Sequence, residues 1–431
     1  MTNKEKILFA LILVFLTTLF LPWFKLVNIF AAIFLGLYAL FFNSLKGDFF
    51  NPWKEFFLSL WKEKWQLLKE RKHLLWMFAF FIMVAISVLL SSNFHKGLRY
   101  LDPRLPLLYF PLSIGLLQLR KEFKEKVLLG FAWLTSVMVL FCFCWALDRS
   151  DFFKKPEFLY NDSLTEILGQ QSIYISLLVN FSIYIFSYNI FYKKSDGRGW
   201  MMLATLFLFV ISYFLASRIM IGMMYASILA FAFYNIILKK KYLTGIVLVV
   251  SLVIGIFLIF NFFPKTLNRF KEFAYTHFNY ESMASESHYN KKVTKEQWNG
   301  VNFRMAVWQC GWELFLKNPL KGVDIGDKKD ALMDKYREKN FQFALQTGKN
   351  VHSNYLDILY SMGIIGLSLF LIGWLILPLV YAKRYNDWLS ILMILTFAAA
   401  WISEIYFDRS LGGMLTGFFI PFLLADKKKE K

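Results

Sequence analysis

The chain has 431 residues, of which 57% are hydrophobic and only 18% charged, and its formal net charge is +19. Length alone suggests about three soluble domains of roughly 150 residues each, but the apolar fraction excludes a soluble protein and indicates an integral membrane protein. The positive charge is expected to mark cytoplasmic loops and to attract anionic lipid, and no basic soluble module is available to bind nucleic acid.

Nearly uncharged apolar runs, long enough to cross a hydrocarbon core of roughly 30 Å, recur along most of the chain. They predict twelve transmembrane helices, near residues 7–23, 27–43, 74–92, 105–119, 127–146, 171–192, 200–216, 220–238, 242–263, 354–381, 387–406 and 410–425. Lys and Arg are concentrated in the loops that this arrangement places on one side, so the positive-inside rule predicts that both termini are cytoplasmic. The first apolar run lacks a small-residue cleavage site, and we expect it to be retained as a span.

Two stretches interrupt the series of spans. Residues 53–68 place Trp53, Phe57, Trp61 and Trp65 on one helical stripe, with lysines and glutamates elsewhere. This pattern predicts a helix that lies on the cytoplasmic membrane surface as an anchor, and a partner-binding helix is the alternative.

The second interruption, residues 264–353, is the only segment large enough to form a folded loop domain, and topology predicts that it is periplasmic. Helical periodicity extends over Phe303–Leu316, and Asn318 with Pro319 then supplies a stop signal. The predicted organisation is therefore 1–263 with nine spans and the surface helix, 264–353 as the loop domain, and 354–431 with three spans and a basic cytoplasmic tail.

His352 lies where this loop runs into the tenth predicted span. If the helix already includes His352, eleven residues at about 100° per residue bring Gly363 back to the same face, with Gly366 close by. Asn354 and Asp357 are expected to cap the helix, so the histidine would stand beside a helix N-terminus that attracts anions. A general base is the functional interpretation, and a hydrogen-bonded interfacial histidine is the alternative.

Two arginines in the predicted external segments are further candidates. Arg218, next to Ser217, lies in a very short loop between two spans, where a charge among apolar residues is costly unless it has a partner. A bound phosphate would be such a partner, and a lipid phosphate or the carbonyl end of a helix is the alternative. Arg304 begins the predicted loop helix, and the alternative interpretation is an ordinary solvent-exposed arginine. Two guanidinium groups and a base would suit displacement of a phosphate leaving group at a sugar anomeric carbon.

The sequence offers no strong metal-ligand spacing, and no metal or other cofactor is expected. Asp324, Asp327 and Asp330 lack the spacing of a calcium loop and are expected to be solvated carboxylates in a turn. Neither a phosphate-cradling Gly-Lys-Ser/Thr loop nor a Gly-x-Ser-x-Gly elbow is present, which argues against ATP-driven and serine-hydrolase chemistry. The three cysteines are expected to be structural thiols.

Taken together, these residues resemble the O-antigen ligase and Wzy-type polymerase superfamily of bacterial envelope glycosyltransferases. The motifs that carry the resemblance are His352-Ser353 with Gly363-x-x-Gly366, Ser217-Arg218 between two spans, and Arg304-x-x-x-Trp308 followed by Asn318-Pro319-Leu320-Lys321-Gly322-Val323. The span count and the single large external loop agree over essentially the whole chain. Among the departures from the family pattern, Asp324 stands where the family often has glycine.

The resemblance implies an all-α polytopic membrane protein of the GT-C-like type, with about twelve transmembrane helices and one large periplasmic helical loop domain. It implies transfer of a glycan from undecaprenyl pyrophosphate to a hydroxyl at the outer face of the bacterial inner membrane, with inversion and without metal. His352 would activate the acceptor, while Arg218 and Arg304 would hold the pyrophosphate. The remaining motif residues would bind substrate, namely Ser217, Ser353 and Trp308, or would be structural, namely Gly363, Gly366 and Gly322.

Several acceptors are compatible with this chemistry. A hydroxyl of lipid A-core, as in an O-antigen ligase, is the preferred one, and a lipid-linked repeat or a protein hydroxyl is the alternative. Outside this class, a lipid or solute transporter would also have many spans, but it should place paired polar groups near the bilayer midplane rather than at one boundary. The expected partners are thus the lipid-linked donor, the acceptor and membrane lipids, with no nucleic acid.

Overall fold

The structure, a computed structural model, describes residues 1–21, 25–42, 53–284 and 297–426. Over these ranges the chain is helical, with one isolated bridge between Leu119 and Asp426 and no strand. The helices are α1 (Asn3–Leu19), α2 (Lys25–Phe41), α3 (Trp53–Glu70), α4 (Lys72–Leu90), α5 (Phe94–Leu101), α6 (Pro106–Ser113), α7 (Lys121–Arg149), α8 (Ser172–Tyr188), α9 (Arg198–Leu215), α10 (Arg218–Phe233), α11 (Tyr242–Phe262), α12 (Pro264–Lys271), α13 (Asn302–Lys317), α14 (Lys328–Glu338), α15 (Gln342–Thr347), α16 (Asn354–Leu371), α17 (Leu377–Arg384), α18 (Trp388–Ser403) and α19 (Ser410–Leu423).

Most of the predicted spans coincide with apolar helices. In the described ranges, seven helices are long and apolar enough to cross a membrane, namely Lys72–Leu90, Lys121–Arg149, Ser172–Lys193, Arg198–Leu215, Arg218–Leu238, Tyr242–Phe262 and Asn354–Arg384. Three shorter apolar helices, Leu26–Phe41, Trp388–Ser403 and Ser410–Leu423, coincide with three more predicted spans. The all-helical class with several membrane spans is therefore confirmed for the described residues, while the number of twelve stays a prediction.

The predicted span at 105–119 is not a continuous helix. α6 ends at Ser113 after eight residues, and Pro111 lies within it. A β-carbon at Gly115 would lie 2.4 Å from the carbonyl oxygen of Pro111, so the chain tightens into a turn that only a residue without a side chain can form there. The prediction of a regular span here is wrong because hydropathy registers the apolar run and does not register this turn.

Two buried cationic side chains donate hydrogen bonds to carbonyl groups of the turn after α6, which have no donor within the helix. Arg71 donates from Nη1 to the carbonyl oxygen of Leu117 at 2.7 Å, and Lys64 donates from Nζ to that of Leu116 at 2.7 Å. Cations are favourable at the carbonyl end of a helix, where the backbone acceptors lack intrahelical donors. These two side chains therefore satisfy backbone groups that would otherwise be costly to bury.

The surface helix predicted at 53–68 is α3. Trp61 and Trp65 are exposed and stack on each other, with 6.4 Å between their ring centroids. Leu60 and Leu67 are buried. The side chains of residues 53–56 lie outside the described part of the chain, as do the ends of the first two predicted spans and the basic tail after 426. The role of α3 as a membrane anchor stays a prediction.

The described chain divides into two compact units. Unit 1 contains residues 1–131, 311–334 and 351–431, and unit 2 contains residues 132–310 and 335–350. Residues 264–353, predicted as one loop domain, therefore contribute to both units. The helix predicted at Phe303–Leu316 is α13, which ends immediately before Asn318, as the stop signal predicted.

Aromatic side chains form part of the core of unit 1. Phe80, Phe370, Trp401 and Phe407 are fully buried, and the Phe370 ring centroid lies 5.0 Å from that of Trp401 and 5.4 Å from that of Phe407. Offset and edge-to-face contacts of this kind add to the free energy of burial. They hold α16 and α18 against the short helix Tyr406–Asp408, which follows α18.

Four charged side chains of unit 1 form a network of two buried cations, one buried carboxylate and one that is 17% exposed. Lys328 Nζ lies 2.6 Å from Asp357 Oδ2 and 2.8 Å from Asp408 Oδ1, and Arg104 Nη2 lies 2.8 Å from Asp408 Oδ1. Burial acts to raise the pKa of Asp408, but the charges of Lys328 and Arg104 outweigh burial and lower it. The network links α14 to the start of α16 and to the turn after α18.

We expect Lys328→Ala to destabilise the protein by about 3–5 kcal/mol, because it breaks a buried ion pair and leaves Asp357 and Asp408 with Arg104 as the remaining cation of the network. The free energy of unfolding in detergent micelles, measured by denaturant titration, checks this value. Lys329→Ala is the matched control because Lys329 is exposed, and a change within about 0.5 kcal/mol is expected for it. Equal unfolding free energies for the two variants would contradict the network's role.

Candidate active site

Arg218 is positioned by a tight turn between two helices of unit 2. Ala216, at the end of α9, has φ of 50°, and this left-handed residue reverses the chain within one step. Ser217 is the N-cap of α10 and Arg218 is its first residue. The turn therefore places a guanidinium group at a helix N-terminus, where anions are favoured.

A carboxylate and a backbone carbonyl hold the Arg218 guanidinium. Nη1 of Arg218 donates to Glu272 Oε2 at 2.9 Å and to the carbonyl oxygen of Arg269 at 2.9 Å. The side chains of Arg218 and Glu272 are 9% and 3% exposed. The ring of Phe273 lies 5.1 Å from Arg218 Cζ, within the range of a cation–π contact. Arg218 thus has an acid and a carbonyl group of the chain itself as partners, and its pairing with phosphate stays a prediction.

Gly300 brings a second predicted arginine to the same place. Its N–H donates to Glu272 Oε2 at 3.0 Å, and its carbonyl oxygen accepts from Arg304 Nη1 at 2.6 Å. A β-carbon at Gly300 would lie 2.8 Å from Arg218 Nη2 and 3.1 Å from Arg269 Nη1. We call Arg218, Arg269, Arg304, Glu272 and Gly300 the arginine cluster. It joins the two predicted arginines and adds a third that sequence reasoning missed.

Three further residues are predicted to bind substrate, and each lies in a helix or at its start. Ser217 and Trp308 are partly exposed, and Trp308 follows Arg304 by one turn of α13. Ser353 is buried and is the N-cap of α16, where its Oγ accepts from the Leu356 N–H at 3.4 Å. A direct role of these three residues in substrate binding stays a prediction.

His352 pairs with an acid in unit 1. Its Nδ1 lies 3.3 Å from Glu404 Oε2, and the two side chains are 24% and 11% exposed. Glu404 follows α18, and His352 precedes α16 with φ of 45°. A carboxylate on one ring nitrogen sets the tautomer and orientation of an imidazole, which leaves the other nitrogen to exchange a proton. Sequence reasoning missed Glu404 because fifty-one residues separate it from the histidine.

The expected start of α16 is wrong in two respects. His352 lies outside the helix, since Ser353 is the N-cap and Asn354 is the first helical residue. Neither predicted capping residue caps the helix. Asn354 Oδ1 accepts from the Phe407 N–H at 3.3 Å, and Asp357 belongs to the buried ion network. Both side chains instead fasten the start of α16 to the turn after α18.

The predicted alignment of His352 and Gly363 on one helical face is also wrong, because α16 is interrupted at Gly363. This residue has φ of 64° and ψ of −168°, a backbone region that is essentially restricted to glycine. A β-carbon there would lie 2.1 Å from the carbonyl oxygen of Leu320. The motif glycine therefore permits the close approach of a second backbone segment at a break in the helix.

The segment that approaches Gly363 contains the Asn318–Val323 motif and the following residue, Asp324. The N–H of Ile364 donates to the carbonyl oxygen of Pro319 at 2.9 Å, and the N–H of Val323 donates to that of Tyr360 at 3.0 Å. Gly322 has φ of 72°, and a β-carbon on it would lie 2.4 Å from the carbonyl carbon of Ser361. Two motifs that are distant in sequence thus pair through their backbones.

Gly366 is the third motif glycine, and it lies inside α16 beyond the break. A β-carbon on it would lie 2.4 Å from Met362 Cβ, so the interrupted helix brings the preceding turn unusually close. Gly366 therefore accommodates the turn beside the break at Gly363, and its structural role stays a prediction.

The prediction of solvated carboxylates in a turn is wrong for Asp324 and Asp327, which have partners in the chain, whereas Asp330 is 54% exposed and pairs with the exposed Lys96. Asp324, at φ of 70°, accepts from Ser87 Oγ at 3.0 Å, and burial raises the pKa of its carboxyl. The positive φ explains why the family often has glycine at this position. Asp327 accepts from the N–H groups of Ser92 and Asn93. Within the described ranges, no group of three His, Cys, Asp or Glu side chains is arranged to hold a metal ion.

The family model described as O-antigen ligase, Wzy_C, matches residues 203–371. Residues 203–371 are therefore similar to the O-antigen ligase family. This match confirms the resemblance stated from the sequence motifs, and every predicted site residue from Ser217 to Gly366 lies within it. With the apolar helices, it establishes a membrane protein related to ligases and polymerases of O-antigen. Glu404 lies beyond the matched segment. No curated protein matches the chain.

We expect Gly363→Ala to destabilise the protein by about 3 kcal/mol or more, because it combines a strained backbone with a collision against Leu320. The midpoint of thermal unfolding in detergent measures this effect. Gly222→Ala in α10 is the control, because no atom lies within 4 Å of its β-carbon and the exchange favours a helix by up to about 1 kcal/mol. A Gly363 variant as stable as the control would show that the break does not need glycine.

Proposed function

We propose that the protein transfers a glycan from undecaprenyl pyrophosphate to an acceptor hydroxyl at the periplasmic face of the inner membrane. The observation that carries the proposal is the arginine cluster within the segment similar to the O-antigen ligase family. Guanidinium groups bind phosphate oxygens through several N–H donors at once, and Arg keeps its charge at every physiological pH. An apolar, multi-helix protein also suits a donor whose carrier is a lipid.

In the proposed reaction, the acceptor oxygen attacks the anomeric carbon of the donor glycan. Its proton passes to the ring nitrogen of His352 that does not face Glu404, and the Glu404 carboxylate stabilises the resulting imidazolium. The bond between the anomeric carbon and the phosphate oxygen breaks, and both of its electrons leave with polyprenyl pyrophosphate. Attack opposite the leaving group inverts the anomeric centre.

The arginines would act on the leaving group. Pyrophosphate departs without protonation when cations neutralise the charge that develops on its oxygen. Arg218 and Arg304 are proposed for this role because both bond to the small region around Glu272 and Gly300. No metal ion is needed in this proposal, since the guanidinium groups supply the positive charge.

The preferred acceptor is a hydroxyl of lipid A-core, which would make the protein an O-antigen ligase. A polymerase would extend a second lipid-linked repeat, and a protein O-oligosaccharyltransferase would modify a protein hydroxyl. Reconstitution with purified lipid-linked glycan and each of the three acceptors, offered separately, distinguishes these enzymes. Transfer to lipid A-core is expected, and transfer to none of the three would overturn the proposed function.

His352→Ala is expected to lower the transfer rate at least a hundredfold, because general base catalysis typically contributes a factor of about 100 to 10,000. The initial rate in the reconstituted system measures this, and binding of the lipid-linked donor should be retained. His277→Ala provides the control, since His277 is an exposed histidine of unit 2. Wild-type activity of the His352 variant would remove it as the base.

Glu404→Gln is expected to lower kcat about tenfold or more and to leave the KM for donor nearly unchanged. The amide keeps the size of the side chain but cannot stabilise the imidazolium, an effect confined to the transition state. Steady-state kinetics with varied donor concentration separates the two constants. A raised KM at constant kcat would mean that Glu404 affects donor binding instead of the base.

A further inference from the structure

The arginine cluster contains an acid, which is unexpected in a site for phosphate. The Glu272 carboxylate is 3% exposed, and it accepts from Arg218 Nη1 at 2.9 Å and from the Gly300 N–H at 3.0 Å. Its second oxygen lies 3.5 Å from Arg269 Nη1. A buried carboxylate repels phosphate, so its presence in the cluster needs a physical explanation. One explanation is that it orients the arginines around it.

Glu272 joins two arginines that approach from different elements. Arg218 begins α10, Arg269 is in the last turn of α12, and Glu272 follows α12 directly. Like-charged guanidinium groups placed close together repel each other, and a carboxylate between them removes this repulsion and fixes both planes. Glu272 therefore orders the cations before any substrate binds, which reduces the entropy that binding has to overcome.

The charges of these side chains match those of the proposed donor. Arg218, Arg269 and Arg304 with Glu272 carry two positive charges in total. In a pyrophosphate that links a lipid to a glycan, each of the two phosphate groups carries one negative charge. Without Glu272 the same arginines would carry an excess positive charge, and they would retain the more negatively charged product, polyprenyl pyrophosphate, after transfer.

We propose that Arg269 is a third cation for the donor pyrophosphate and that Glu272 is a positioning residue that aligns Arg218 and Arg269 and limits the charge of the cluster. The proposal rests on the proposed function for the identity of the lipid-linked donor. It assigns a role in pyrophosphate recognition to two residues that lie outside the sequence motifs.

Arg269→Ala should raise the KM for donor about tenfold, because charged hydrogen bonds contribute on this scale, and Arg269→Lys should retain part of the affinity. Glu272→Gln should lower kcat about tenfold, while inorganic pyrophosphate inhibits at about a tenfold lower concentration than for the wild type. A merely structural role of Glu272 would weaken pyrophosphate binding instead. Inorganic phosphate, which matches half of the donor diphosphate, should bind less tightly than pyrophosphate throughout.

The controls are Lys271→Ala and Glu281→Gln, which change exposed charges of the same part of unit 2 and should behave as the wild type. Binding of inorganic pyrophosphate, followed by calorimetry in detergent, is measured beside transfer for each variant. Thermal unfolding identifies any variant that does not fold. In that case Arg269→Lys and Glu272→Asp replace the original variants. Their pyrophosphate affinity and kcat are expected to lie between those of the wild type and those expected for the full substitutions.

Unchanged donor KM and pyrophosphate affinity in Arg269→Ala, or weaker pyrophosphate binding in Glu272→Gln, would overturn the assignment. If the wild type transfers glycan to none of the three acceptors, the proposed function fails, but the pyrophosphate measurements still decide the roles of Arg269 and Glu272. If the wild type transfers glycan and the variants match it, only this further assignment fails.

Discussion

The ion pairs of Lys328 with Asp357 and Asp408 are the contacts on which the local architecture of unit 1 depends. A lone buried charge is strongly unfavourable, so these groups are stable only when α14, the start of α16 and the turn after α18 are all in place. The same turn carries Glu404, and the residues just before α16 carry His352. The ion network, which contains none of the proposed catalytic residues, therefore joins the segments that carry His352 and Glu404.

Backbone geometry supplies a second constraint on the same region. The break of α16 at Gly363 exposes N–H and carbonyl groups that an unbroken helix would satisfy internally, and the Asn318–Asp324 segment takes them as partners. Gly322 and Gly363 are needed because two backbones meet without room for side chains. The glycines of these motifs are thus explained by a backbone pairing, without any role in catalysis.

Unit 2 meets a different physical constraint, because it holds several cations close together. Glu272 and the carbonyl oxygens of Arg269 and Gly300 accept from Arg218 and Arg304, so the guanidinium groups are oriented by acceptors of the chain. Orientation of charge in advance is what makes electrostatic stabilisation effective in a site with little water. In the proposed function, the total charge of the cluster matches that of the donor diphosphate.

Much of the helical fold could be predicted from the sequence. The length of the apolar runs and the positions of Lys and Arg reflect the free energy of placing side chains in the hydrocarbon core. α13 and its stop before Asn318 followed from local periodicity in the same way. The run at 105–119 misled this reasoning, since a tight turn at Gly115 leaves no mark on average hydropathy. Motif order was likewise sufficient to identify the resemblance to the O-antigen ligase family that the family match confirmed.

The sequence by itself determined the class of protein, the resemblance to the O-antigen ligase family and the residue types on which the proposed chemistry depends, because these follow from composition and from local order. Only the tertiary structure decided the partners. Glu404 beside His352, Glu272 and Arg269 beside Arg218, and the backbone pairing at Gly363 all join residues from different elements. Such pairings are selected by burial and by the need to satisfy every polar group, and those requirements arise only when the chain is folded.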